Sequence, residues 1–584
     1  MKASNPKSAP VFLGRELFFK ALHRQGVEVV FGNPGTTELP LIEELTRHTG
    51  IKYQMALHEA VAVNAADGYA QATGKVGVVN LHVAPGLGNG LGMVYNAWEG
   101  RTPLLVTAGQ ADTRMRLREP FLGHDLVAMA APVTKWSVQA QSPEEIPLIV
   151  ERAFQIALTP PMGPVFVALP INVMEASAPW PAMPEAAAMH RHTRLAPAEQ
   201  GLHTAAQWLL EAQHPVILCG DGVGFGGAVP QLVSLAETLQ AQVWDEWFAT
   251  HLNFPWHHPL HVGDLPDRIG GIAQKLAHAN TDLVLAVGGE FFEESWFDEG
   301  SPFPPGCRVI QLDPAPSQLG RHWPVHLALQ GDIALGLADL QHHLVQLVQA
   351  QQRNAPQKAQ HWAKTLEQRQ QAAEKQFHQR RQAQQEREQA LWANQPISTA
   401  RLMAELAQAL PTNAVLVEES ITADMDLHRS IPMQQPGSYF AARGGGIGQA
   451  FPTALGVRLA KPGRPLVTVS GDGSAQYTIQ SLWTAAHERL PILFIVLHNR
   501  AYQVLKINQQ NYQRAYAVKD PQAVPMLDLT GPDPDFVHLA AGYGVAAKSV
   551  KLPEEVAPAL KEALEQVQRT QQPFLLDVWT APGL

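Results

Sequence analysis

The chain has 584 residues, more than one hydrophobic core can organise at roughly 100–200 residues per domain, so three to four domains are expected. Apolar residues make up 46% and charged ones only 16%, the balance of a globular chain, and a net charge of −10 excludes the basic footprint of a nucleic-acid binder. Two cysteines, Cys219 and Cys307, exclude a disulfide framework and a cysteine-rich zinc site. The N-terminus has no apolar h-region behind it and no stretch reaches about 18 apolar residues, so the chain reads as cytoplasmic, with no membrane partner.

In chain order, short apolar runs at 27–32, 53–57, 77–82, 103–109 and 164–169 read as buried strands separated by helix-length segments. That rhythm predicts βαβ units around a parallel sheet over 1–180. A stretch dense in Pro, Ala and Met, 179–197, reads as a linker. A second α/β rhythm spans 195–345, with strands at 215–219, 242–244, 282–288 and 308–312. Composition then changes: 13 of residues 351–390 are Gln, so 346–395 reads as a solvated helical connector, with a disordered tether as the alternative. Strands at 414–417, 466–470, 491–497, 545–549 and 573–579 place a third α/β domain over 396–584. The fold class expected is α/β, with three doubly wound parallel-sheet domains.

Gly471-Asp472-Gly473-Ser474 follows the strand LVTVS and precedes a helical run. Two glycines at a strand end let backbone amides approach an anion at a helix N-terminus, and the Asp suits a hard cation bridging to phosphate. The next strand ends at His498-Asn499-Arg500-Ala501-Tyr502, 25 residues beyond Gly473, which puts Asn499 at the same sheet edge. A lone Gly-Asp-Gly is as readily a tight turn; the spaced Asn makes that reading harder to hold.

Gly-Asp-Gly with this Asn resembles the cofactor motif of the thiamine diphosphate (ThDP) enzymes. The resemblance implies Mg²⁺, or Ca²⁺ in its place, on Asp472, Asn499 and the Ala501 carbonyl. The family's usual Asn-Asn is His498-Asn499 here. Glu59, opening a helix after a strand, resembles the family's catalytic glutamate; taken alone, a Glu at that position is more simply a helix cap. Its chemistry needs a carboxyl in a dry pocket facing N1′ of the aminopyrimidine.

Further stretches, 31–40, 80–89, 107–110, 436–439 and 444–448, resemble the benzoylformate decarboxylase branch of that family. By that resemblance the first domain is pyrimidine-binding, the second a middle Rossmann-like domain and the third diphosphate-binding. The cofactor would lie between two subunits of a homodimer, commonly paired into a homotetramer. Asn33, Pro34, Gly35, Thr422, Gly471, Gly473, Ser474 and Tyr502 would bind the cofactor. Gly445 would offer its carbonyl to the 4′-amine, and Ile447 would bend the cofactor into a V. Thr36 would hold the substrate carboxylate and His82 would move protons. Phe121, Leu122, Ser295 and Leu505 would line the substrate pocket, with Phe291, Phe292, Trp296 and Phe297 adding an aromatic wall.

One family residue is absent: no histidine occurs between His278 and His322, and Ser295 stands where the middle domain supplies one. The implied activity is decarboxylation of a benzoylformate-like or other bulky 2-oxo acid to an aldehyde, with carboligation alongside. Acetolactate synthase-like acyl transfer is the rival, and a cofactor-free assembly subunit the non-enzyme alternative. Gly222, Gly224 and Gly227, with Asp245 and Glu246 about twenty residues on, fit a dinucleotide fingerprint. That pattern is weak, and no FAD is expected.

Overall fold

The computed structural model describes residues 10–47, 50–183, 194–293, 296–441 and 443–582. Three α/β domains follow one another, each built on a six-stranded sheet whose ladders are all parallel. The first sheet orders its strands Lys52–Met55, Val29–Gly32, Gly77–Leu81, Leu104–Gln110, Val165–Pro170, Ser137–Gln139. The second runs His261–Asp264, Gln242–Asp245, Pro215–Cys219, Leu283–Val287, Arg308–Asp313, Leu327–Gln330. The third runs Tyr439–Ala441, Val415–Glu419, Leu466–Gly471, Leu493–His498, Phe574–Trp579, Ala546–Val550. Both terminal sheets share the order 2-1-3-4-6-5, whereas the middle one has 3-2-1-4-5-6. In all three the order reverses next to the first strand, opening a crevice at the carboxyl ends where such sheets take ligands.

The central strands are unbroken apolar runs because helices cover both faces. Gly77–Leu81, Pro215–Cys219, Leu283–Val287 and Leu493–His498 are buried throughout. Besides the antiparallel pair Val11–Leu13 and Ser177–Pro179, four strands of the three large sheets escaped the sequence reading: Ser137–Gln139, His261–Asp264, Leu327–Gln330 and Tyr439–Ala441. Each of these four is an edge strand of three or four residues, too short to stand out as an apolar run, and all but the buried Tyr439–Ala441 are half-exposed and partly polar.

Helix Glu59–Thr73 of the first domain lies against helix Ala450–Ala460 of the third, backbone on backbone. A Cβ on Gly456 would fall 1.9 Å from the Ala65 carbonyl oxygen, and one on Gly68 2.4 Å from that of Thr453. These pairings make the helices antiparallel. Val61, Ala65, Phe451 and Phe494 belong to one apolar cluster, so the two domains share a core.

The Gln-rich segment forms helix Pro356–Ala390, with only Ala373 and Gln384 buried. Arginines hold it instead. Arg369 donates to the carbonyls of Ala212, Gln213 and Leu239 at 2.6–3.1 Å, and Arg387 pairs with Asp426 of the third domain at 3.1 Å. Among the described residues no helix is long and apolar enough to cross a membrane. Cys219 and Cys307 are free and buried.

Candidate functional site

Strands Val29–Gly32 and Gly77–Leu81 flank the first sheet's crevice, so the residues just past them, Asn33–Glu38 and His82, meet there. Gly35 is required by close approach: a Cβ on it would sit 2.1 Å from His82 Nδ1. Beneath the imidazole lies Glu38, fully buried, which sequence reasoning did not single out. Its Oε2 lies 2.7 Å from His82 Nδ1 and accepts from Gly35 N at 3.0 Å. Its Oε1 accepts from Gly109 N and Thr37 Oγ1, both at 2.8 Å. With every other partner a donor, the carboxylate favours the Nδ1–H tautomer and leaves Nε2 as the nitrogen able to take a proton. Thr36 is exposed at the start of the short turn Thr36–Glu38, and Asn33 and Pro34 are half-buried beside it.

Glu59 is 7% exposed at the start of its helix, where His58 Nδ1 caps Ala60 N at 3.1 Å. Asn89 Nδ2 donates to Glu59 Oε2 at 3.1 Å. Gly86 lies between the two candidate proton carriers. A Cβ there would be 3.0 Å from Glu59 Oε1 and 3.2 Å from His82 Cβ, so the missing side chain lets Glu59 and His82 share one cleft.

In the third sheet the crevice lies between Val415–Glu419 and Leu466–Gly471. It gathers Thr422, Gly471, Asp472, Gly473 and Ser474, with Asn499 arriving from the adjacent strand in the register Gly471 to Leu497. Asp472 is 1% exposed. Burial raises its carboxyl above the ordinary range, against the pull of Arg500 N on Oδ2 at 2.6 Å and Gly473 N on Oδ1 at 2.8 Å. Asn499 Oδ1 accepts from Ala501 N at 2.9 Å. The Tyr502 ring covers Gly473, where a Cβ would be 2.6 Å from it. Gly445 and Ile447 lie on the loop before helix Ala450–Ala460, with Gly445 at φ +76°. Glu419 anchors the end of that loop, accepting from Gly448 N at 2.6 Å and Ala450 N at 2.9 Å. Its burial pushes the carboxyl up to about 7.

Of the expected pocket residues, those at 121 and 505 are exposed. Phe121 is 91% exposed and Leu505 45%; Leu122 adopts φ +67°, and Ser295 lies outside the described residues. The aromatic wall needs correction. Phe291 packs with Leu218 and Trp244 in the middle-domain core, Phe292 sits edge-on to Phe303, and Phe297 projects outward at 83% exposure. Phe291 is buried and Phe292 only half-buried, so the aromatic residues form no common wall.

Three models of the thiamine pyrophosphate enzymes match the chain: the N-terminal TPP binding domain over 13–129, the central domain over 202–340 and the C-terminal TPP binding domain over 422–578. The chain is 33% identical over 564 residues to a benzoylformate decarboxylase of Pseudomonas aeruginosa, covering 96% of this chain and 98% of that one. The chain belongs to the thiamine pyrophosphate enzymes. It is also 29% identical to the large subunit of acetolactate synthase isozyme 3 of Escherichia coli, covering 96% and 94% of the two chains. A thiamine diphosphate-dependent 4-hydroxybenzoylformate decarboxylase of Rhodococcus jostii superposes with a TM-score of 0.81 at 28% identity, covering 98% of this chain and 99% of that one.

Within the family the departure at His498 has a structural reason. The residue ends a core strand with its ring turned inward, 2.8 Å from Asp577 and packed against Phe536 and Trp579. The metal candidates therefore stand without it.

In the middle domain the amides of the glycine fingerprint are already occupied. Asp221 N donates to Glu246 Oε1 at 2.7 Å, Gly222 N to the Gly288 carbonyl at 2.8 Å and Gly224 N to Asn253 Oδ1 at 3.0 Å.

Proposed function

We propose that the chain is a ThDP- and Mg²⁺-dependent decarboxylase of an aromatic or bulky 2-oxo acid, releasing CO₂ and an aldehyde and forming some carboligation product. The observation that carries this reading is the cleft at Gly86, where the buried Glu59 carboxyl and the stem of the His82 side chain border one point, with Glu38 anchoring the imidazole beyond it.

The residues fit the cofactor. Asp472 is a buried carboxylate that makes no ion pair with Lys or Arg among the described residues, which suits a cation. Asp472, Asn499 and the Ala501 carbonyl would hold Mg²⁺, and diphosphate oxygens would complete its shell; among the described residues no cluster of three His, Cys, Asp or Glu offers an alternative centre. Thr422 and Ser474, both buried, would bind the diphosphate. Bound there, thiamine diphosphate supplies the sink for the electron pair released as CO₂ leaves.

Glu59, oriented by Asn89, would exchange a proton with the aminopyrimidine. Thr36 binds the substrate carboxylate, and His82, held by Glu38, moves protons to and from the reacting oxygen and carbon. The antiparallel helices set Glu59 roughly 15–20 Å from Gly448 of the same chain at 1.5 Å of rise per residue. One cofactor would then be held by Glu59 of one copy and the glycine loop of another, which supports a homodimer, alone or paired into a tetramer.

Carboligation is favoured by the histidine missing between His278 and His322, which removes one proton donor for aldehyde release. Flavin has no place in this reading, because a pyrophosphate would have to displace Glu246, Asn253 and a backbone carbonyl from the fingerprint amides. A panel of 2-oxo acids from pyruvate to benzoylformate, with CO₂ and carbon products both measured, tests the proposal. Activity confined to pyruvate with acetolactate as product would favour the synthase reading.

A further inference from the structure

The middle-domain crevice is not empty of ligand-like charge. Arg443 leaves the third domain just before the loop Gly444-Gly445-Gly446-Ile447-Gly448 and enters that crevice, with its side chain 8% exposed. Its guanidinium lies 3.3 Å from Asp221 Oδ2, 3.2 Å from Glu246 Oε1 and 2.6 Å from Glu293 Oε2. Glu246 also joins the two turns flanking the crevice, accepting from Asp221 N and Glu290 N at 2.7 Å each. From the first domain Arg101 reaches the same edge, pairing with Glu290 and lying 3.8 Å from Asp313. Two arginines from the two cofactor-binding domains thus face five carboxylates of the middle one.

The loop beside Arg443 is one that needs holding. Gly444, Gly445 and Gly448 adopt φ of +93°, +76° and +94°, and a glycine-rich segment loses more conformational entropy on ordering than any other. Asn96 grips its centre from the first domain, donating to the Gly446 carbonyl at 2.9 Å and accepting from Gly446 N at 3.1 Å. Gln449 donates to the carbonyls of Arg443 and Gly446 at 3.1 and 2.6 Å. Arg443 supplies the remaining anchor at the loop's leading end. A forked guanidinium fixed by three carboxylates is directional in a way that an ammonium is not.

We propose that Arg443 is a positioning residue, whose lock into the middle domain's acidic crevice fixes the Gly444–Gly448 loop that presents the Gly445 carbonyl and Ile447 to the aminopyrimidine. The inference rests on the cofactor reading above. The middle sheet's crevice then takes a protein cation where related sheets take a dinucleotide, and so sets the geometry of a site in another domain.

The test uses the full chain with Arg443→Met, Arg443→Lys and the double variant Arg443→Met/Glu246→Gln. ThDP affinity is measured calorimetrically with Mg²⁺, and Tm and amide hydrogen exchange are measured on the cofactor-free protein. Arg443→Met should weaken ThDP binding about tenfold or more, with Arg443→Lys intermediate. Exchange over 444–450 should quicken in the same variant. Neutralising Glu246 in the double variant should not restore affinity. A lower Tm with wild-type affinity and unchanged exchange would overturn the proposal. Should Arg443→Met fail to fold, Glu293→Gln removes only the 34%-exposed partner and carries the same readouts. A wild-type chain that takes up no ThDP would sink the cofactor reading instead, and exchange over 444–450 would still decide the anchor.

Discussion

Glu38→Gln removes one charge and almost no volume, from a side chain with no exposed surface. Each carboxylate oxygen serves two partners: Gly109 N and Thr37 Oγ1 on one, Gly35 N and His82 Nδ1 on the other. A carboxamide has a single acceptor oxygen, so whichever way it turns, its NH₂ faces a backbone N–H that cannot rotate away. One buried amide, Gly109 or Gly35, is left without an acceptor, which costs about 1–3 kcal/mol of stability. The second loss is electrostatic. The hydrogen bond between His82 and an ionised partner is worth about 1.5–3 kcal/mol, and without the anion the protonated imidazole is destabilised by that amount. At about 1.4 kcal/mol per factor of ten, turnover should fall roughly 10- to 100-fold. Cofactor affinity should fall far less than turnover, since Glu38 touches none of Asp472, Asn499 or Glu59 and reaches a candidate cofactor residue only through the Gly35 amide. Steady-state kinetics and ThDP titration on the same preparation separate these effects. A variant that loses Tm but keeps kcat within about threefold would show that His82 needs no anion behind it, and the proton-carrier role would go with it.

Four further outcomes follow from the same geometry. Glu59→Ala should bind ThDP yet fail to accelerate exchange of the cofactor's C2 hydrogen, followed by NMR; normal exchange would remove Glu59 from its role. Asp472→Ala should lose the cofactor, with partial recovery in excess Mg²⁺, and undiminished ThDP binding in calorimetry would displace the metal from that site. Asp67, buried in helix Glu59–Thr73, has its carboxyl pushed up to about 6 by burial, opposed by hydrogen bonds from Gln71 and Thr102. The folded chain holds that proton more tightly than the unfolded one, so stability is lost as pH rises through about 4 to 6 and stays level above. Asp67→Asn should therefore gain on wild type across that window, by about 3 kcal/mol at neutral pH, and parallel melting curves would refute burial as the cause. Gly456→Ala places a Cβ 1.9 Å from the Ala65 oxygen and should cost at least about 1–3 kcal/mol in thermal unfolding, whereas Gly463→Ala, with open space around its Cβ, should not.

What could be read from the chain and what could not divide along one physical line. Interior strands declare themselves because two covered faces demand an unbroken apolar run, as in Leu493–His498; the edge strand Leu327–Gln330 has one half-exposed face and no such demand. Glu59, Asp472 and Asn499 were proposed because the stretches around them resemble the family's motifs, and the structure places each close past a strand end. Glu38 was not, although it sits two residues after Thr36, because it holds a histidine 44 residues away that only the fold brings near. The signal was nonetheless present: a histidine assigned to move protons needs a partner for its second nitrogen, and Glu38 is the one carboxylate in the turn that follows the neighbouring strand. Arg443 lay deeper still. Its three partners come from three separate turns of another domain, each unremarkable alone, and no spacing rule links them. The glycine fingerprint is weak for the same reason, since Gly222, Gly224 and Gly227 describe how closely a backbone approaches something, and here Gly222 approaches the Gly288 carbonyl. Residues that touch a ligand are constrained by local geometry and can be found locally. Residues that hold those residues are constrained by topology, and become visible only once neighbouring sheet edges are known.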